Sequence, residues 1–141
     1  MKFAKWTFLI AGIYGLLLVA PMLFMEQQLS QNYPPAITHP EYFYGMVIVT
    51  AAWQCVFLAI SRDPLRYRAL MLPAILEKTY GIAMLVLFAH GRIPTAVLGA
   101  GLIDLTLGVL FIIAYIKTRA AAQLLQTLPS TALHVKATSQ S

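Results

Sequence analysis

Ala69-Leu70-Met71-Leu72-Pro73-Ala74-Ile75-Leu76-Glu77-Lys78-Thr79-Tyr80-Gly81-Ile82-Ala83-Met84-Leu85-Val86-Leu87-Phe88-Ala89-His90 is the stretch that decides the fold. It is apolar for roughly 20 residues, enough to cross a bilayer as a helix. A glutamate and a lysine stand side by side near its middle. Charge at that depth is costly and rare, and an intramembrane ionisable residue is a functional-site hypothesis by default. Pro73 cannot donate to the carbonyl of Ala69, so a kink is expected there.

The surrounding chain has the composition this reading needs. Of 141 residues, 60% are hydrophobic and 11% charged, against about a quarter charged in a soluble domain; the mean hydropathy is +0.74. The apolar residues fall into four blocks, which argues for an integral membrane protein. The single cysteine, Cys55, allows no disulfide within the chain and reads as a small core residue.

Outward from the central stretch, Asp63-Pro64 starts its helix, and Gly91-Arg92-Ile93-Pro94 turns it into an antiparallel neighbour over about 94–116. There Ala96, Ala100, Asp104 and Gly108 recur every fourth residue, a small stripe that lets another helix approach and turns Asp104 inward. Upstream, Thr38-His39-Pro40-Glu41 reads as a helix start capped by Thr38, leading into Tyr42–Ile60. Thr7–Met25 is the first span, with Trp6 as an interfacial anchor. A cleaved signal peptide competes with that reading; the length of the apolar run and Pro21 after Ala20 favour a retained helix. Glu26–Thr38, with Asn32-Tyr33-Pro34-Pro35, reads as an irregular loop. Ala120–Leu128 continues the last helix for a few turns, Pro129 ends it, and Ser130–Ser141 reads as disordered.

The expected fold is therefore all-α: a four-helix transmembrane bundle, up-down-up-down, with a kinked third helix. It occupies residues 1–119, with spans about 6–25, 42–60, 69–90 and 94–116, and a cytoplasmic tail follows over 120–141. Lys2, Lys5, Arg62, Arg66, Arg68, Lys117 and Arg119 fall on one side, and Arg92 with Glu26 and Glu41 on the other. The positive-inside rule then puts both termini in the cytoplasm. This placement accounts for the net charge of +5 without nucleic acid.

A rise of about 1.5 Å per residue gives depths. Glu77 lies roughly 20 Å from His90, Asp104 roughly 15 Å from Pro94, Gln54 roughly 18 Å from Tyr42 and Tyr14 roughly 12 Å from Trp6. Each helix thus contributes a polar side chain near the midplane, next to Trp53, and Tyr80 adds a hydroxyl one turn outward. The simplest pairing sends Lys78 to Asp104. Glu77, about 100° away on its helix, then looks toward Gln54 or Tyr14, and one carboxyl is expected to be neutral or to share a proton. Two structural readings compete: Lys78–Asp104 as a helix-orienting clip, and Lys78 turned to lipid beside Pro73.

His39, Glu41 and His90 share the outer side but lack a local ligand spacing, so interfacial histidines are expected rather than a metal. No phosphate loop, nucleophile elbow, zinc-protease signature or haem attachment motif is present in the sequence.

The stretches His39-Pro40-Glu41-Tyr42-Phe43-Tyr44-Gly45, Trp53-Gln54, Asp63-Pro64-Leu65-Arg66-Tyr67-Arg68 and Pro73-Ala74-Ile75-Leu76-Glu77-Lys78 resemble those of small uncharacterised bacterial membrane proteins. The four-helix layout is similar to that of the DoxX-like group. The resemblance implies a bacterial inner-membrane location and no settled activity.

The functional expectation is a non-enzymatic membrane protein whose polar cluster of Glu77, Lys78, Asp104, Gln54, Tyr14, Tyr80 and Trp53 holds a small lipophilic ligand, such as quinone or lipid, or a partner helix, including a second copy. A proton- or ion-coupled conduit or transporter subunit, with Glu77, Lys78 and Asp104 as its relay, is the alternative. An enzyme using these carboxyls on a lipid is a weaker third reading. Nothing in the sequence selects a cofactor.

Overall fold

The computed structural model describes residues 1–32 and 36–127, with side chains to Leu124. The expectations for Tyr33-Pro34-Pro35 and for Pro129–Ser141 lie outside the described residues. The fold is all-α. Helix α1 is Lys2–Val19, α2 Glu26–Asn32, α3 Pro40–Arg62, α4 Met71–Glu77, α5 Tyr80–Ala89 and α6 Thr95–Thr127. Short 3-10 turns at Ala20–Phe24 and Arg68–Leu70 extend α1 and precede α4. Among the described residues, four helical stretches are long and apolar enough to cross a membrane: Lys2–Phe24, Pro40–Arg62, Arg68–Ala89 and Thr95–Leu124.

The third span is interrupted at a different place from the one expected. Pro73 does not break it, because α4 begins only at Met71 and Pro73 falls in the first turn, where a helix needs no backbone donor. The interruption lies after Glu77. Thr79 N, Gly81 N and Ile82 N bond to the carbonyls of Leu76, Lys78 and Thr79, three residues back. The Thr79 hydroxyl also donates to Leu76 O at 2.7 Å. A threonine competing for a backbone carbonyl, followed two residues on by glycine, weakens the helix at that point.

Other boundaries also shift. His39, not Thr38, is the N-cap residue of α3, with Pro40 in the first turn. Asp63 Oδ1 accepts from Arg66 N at 3.1 Å, so Asp63 caps the turn over 64–67. The expected loop after the first span contains α2, which forms from Glu26, glutamines and leucine before the prolines. Tyr44 donates to Glu26 Oε2 at 2.8 Å and ties α2 to α3. Helix α6 runs without a break through Arg119, roughly 50 Å in all.

Helices α1 and α3 form one antiparallel pair. Helix α6 forms another with α4 and α5, and α1 also packs on α6. The core sits in one half of the bundle. Phe8, Phe57 and Phe111 are fully buried there with Ala4, Ala11, Ile60, Met71, Ala74 and Ala114. The Phe8 and Phe111 rings stack at 4.1 Å, and Phe57 meets Phe111 edge-on at 5.0 Å. The basic residues gather at the end of this half. Lys117 lies over the Phe3 ring, Arg68 over the Tyr115 ring, and Lys5 and Arg62 line one groove. We call this the basic end. Cys55, expected in the core, is exposed on the outside of α3, because its neighbours Gln54 and Phe57 are the residues that turn inward.

Candidate functional site

The break in the third span brings its charges together. Lys78 follows the last residue of α4 and is 95% buried. Its Nζ donates to Asp104 Oδ1 at 2.8 Å and lies 3.0 Å from Glu77 Oε2. One ammonium therefore bridges two carboxylates. The expectation that Glu77 and Lys78 serve different neighbours does not hold, because the long lysine side chain places its Nζ within reach of both carboxylates. The Glu77 contact is close but off-axis: Oε2 is buried without an aligned hydrogen-bond donor. Lys78 Nζ also stands 5.2 Å from the centroid of Phe57, a ring of the aromatic core.

Above this bridge is a cleft of about 150 Å³ between the two helix pairs. Tyr14, Gly15 and Leu18 line it from α1, Thr50 and Gln54 from α3, and Ala100, Ile103 and Asp104 from α6, with Glu77 and Lys78 at the third span. Gln54 is 97% buried and donates from Nε2 to Thr50 O at 3.1 Å. Its side chain lies so close to Gly15 that a β-carbon there would collide with it. Glycine at this position lets α1 approach α3 with the amide between them.

Five of the seven residues singled out from the sequence thus meet at one place: Glu77, Lys78, Asp104, Gln54 and Tyr14. Two do not. Trp53 is directed into the core, 6.3 Å from the Phe57 ring. Tyr80 does not line the cleft and is 47% exposed, but it stands at the edge of the site, within reach of the Asp104 charge. The small stripe is also redrawn. Ala96 and Ala100 are exposed, whereas Gly101 and Gly108 are buried, Gly101 against Gly81 and Met84 of α5 and Gly108 against Lys78. Thr50 was missed, although it stands four residues before Gln54 on the same helical face.

At the opposite end, His39 Nδ1 pairs with Glu41 at 3.3 Å, and His90 Nδ1 lies 2.8 Å from its own helix carbonyl at Val86. Among the described residues, no three His, Cys, Asp or Glu side chains converge. Compared with known proteins, the chain matches no family model, no curated protein and no solved structure.

Proposed function

We propose that this is a multi-pass protein of a bacterial inner membrane, both termini cytoplasmic, whose cleft binds the head of a small lipophilic ligand. The DoxX-like layout belongs to this proposal and assigns no residue a role. The orientation rests on the gathering of Lys2, Lys5, Arg62, Arg66, Arg68, Lys117 and Arg119 at one end.

The observation that carries the ligand reading is that the polar cleft stops at Lys78. Beneath it lie Phe57, Phe8 and Phe111, fully buried and in mutual contact. A cleft closed on one side suits a bound molecule better than a path for ions. A volume near 150 Å³ suits about one six-membered ring. Lys78 and Gln54 supply donors for a carbonyl or hydroxyl on such a ring, and a tail leaves between the helix pairs. A quinone or a lipid with a compact head has this shape.

Native mass spectrometry of the gently extracted protein tests the reading. Wild type is expected to carry one small lipophilic molecule per chain. Ala100→Phe, which places a ring at the cleft wall, is expected to lose it while remaining folded. Equal retention by the two proteins would contradict the assignment.

A proton-coupled conduit is the second reading, favoured by the buried Glu77 Oε2 without an aligned donor, a place where a proton can reside. It requires Glu77→Gln to abolish proton flux in proteoliposomes, whereas ligand binding alone requires no flux in either protein.

A further inference from the structure

A second polar cleft, of about 340 Å³, opens at the basic end, away from the site above. It is lined by Arg68, which leads into α4, and by Tyr115, Arg119, Ala122 and Gln123 along α6. Positions 115, 119, 122 and 123 fall on one face of α6, and Arg68 closes the cleft from the third span.

Arg68 is held in place. Its guanidinium carbon lies over the Tyr115 ring, 3.7 Å from the centroid, and Nη2 donates to Tyr115 O at 3.3 Å. Its Nε is buried without a partner. No carboxylate lines the cleft, and among the described residues neither arginine forms an ion pair. Among the described residues, Asp63 is the acid near this end, and it is engaged with the backbone of Arg66. Two guanidiniums, a phenol and an amide therefore surround a space to which the described residues bring no counter-charge.

The depth matters as much as the charge. Arg68 is the first residue of its membrane-spanning stretch, and Arg119 lies five residues before the end of the last one. A bilayer spanned by these two stretches would bring both arginines toward the headgroup level of the same face. Planar guanidinium groups match phosphate oxygens in pairs.

We propose that the Arg68–Arg119 cleft binds the phosphate of an anionic phospholipid headgroup. The proposal is independent of what the midplane cleft holds. It goes beyond the general attraction of a basic surface for anionic lipid, because it names two arginines and excludes the other cations of the same end.

The test uses the full chain in nanodiscs of phosphatidylcholine doped with phosphatidylglycerol, with the lipid retained after extraction counted by native mass spectrometry. Wild type is expected to retain phosphatidylglycerol over phosphatidylcholine. Arg119→Gln is expected to lower that preference about fivefold, the effect of one basic side chain near an anionic headgroup, and Arg119→Lys to restore part of it. Lys5→Gln, at the same end but outside the cleft, is expected to leave it unchanged. Equal losses for Arg119→Gln and Lys5→Gln would reduce the effect to diffuse charge and overturn the site. Binding of inorganic phosphate without retention of phosphatidylglycerol would overturn the lipid assignment.

Discussion

The two halves of the bundle use the same helices and similarly apolar residues, yet one is packed and the other is split. At the basic end, Phe8, Phe57 and Phe111 fill the space between the helix pairs. At the opposite end, α1 is drawn against α3 where Gly15 meets Gln54, and α5 is drawn against α6 where Gly81 meets Gly101. Each pair closes on itself, and the pairs part. In lipid no hydrophobic force favours one apolar contact over another, so backbones approach where small residues allow it. The difference teaches that large rings join the pairs and glycines separate them, with Lys78 at the boundary.

The strongest way to break this comparison is to remove the boundary. Lys78→Met leaves two carboxylates facing one another without their cation, and a loss of about 3–5 kcal/mol is expected, measured as unfolding stability in detergent. A loss below about 1 kcal/mol would mean that the bridge contributes no more than an exposed ion pair. Next comes the closed half. Phe111→Ala is expected to cost about 2 kcal/mol, mostly from the void left in the stack, because transfer of a phenyl ring to lipid contributes little. An unchanged melting temperature would place the ring outside the core. The smallest effect sharpens the edge of the site. Tyr80→Phe is expected to leave ligand retention within about twofold and stability within about 0.5 kcal/mol, as for an ordinary surface change; loss of the ligand would return Tyr80 to the cleft.

The sequence made the charged layer legible because depth along a helix is simple arithmetic. Glu77, Lys78, Asp104, Gln54 and Tyr14 stand at similar levels, and all line one cleft. Rotation about the helix axes was not legible. In a soluble helix, polar residues mark the outer face; here the outward Leu17, Ile48 and Leu76 are as apolar as the inward Phe8 and Met71. Trp53 and Cys55 both adjoin Gln54 in the chain, yet the helical phase turns Trp53 toward the aromatic core and Cys55 outward, and depth alone does not bring Tyr80 into the cleft lining. The interruption of the third span was hidden for another reason. Pro73 is the conspicuous breaker, but the helix starts close enough before it to accommodate the ring. The weaker signal, Thr79 followed by Gly81, marks the actual break.

The bridge at that break is tested most directly by the Lys78→Met and Asp104→Asn double-mutant cycle, read as unfolding free energy in detergent. Each single change is expected to destabilise the bundle, and the double change is expected to lose less than the sum, with a coupling above about 0.5 kcal/mol. Additive losses would contradict the pairing and remove the floor of the cleft.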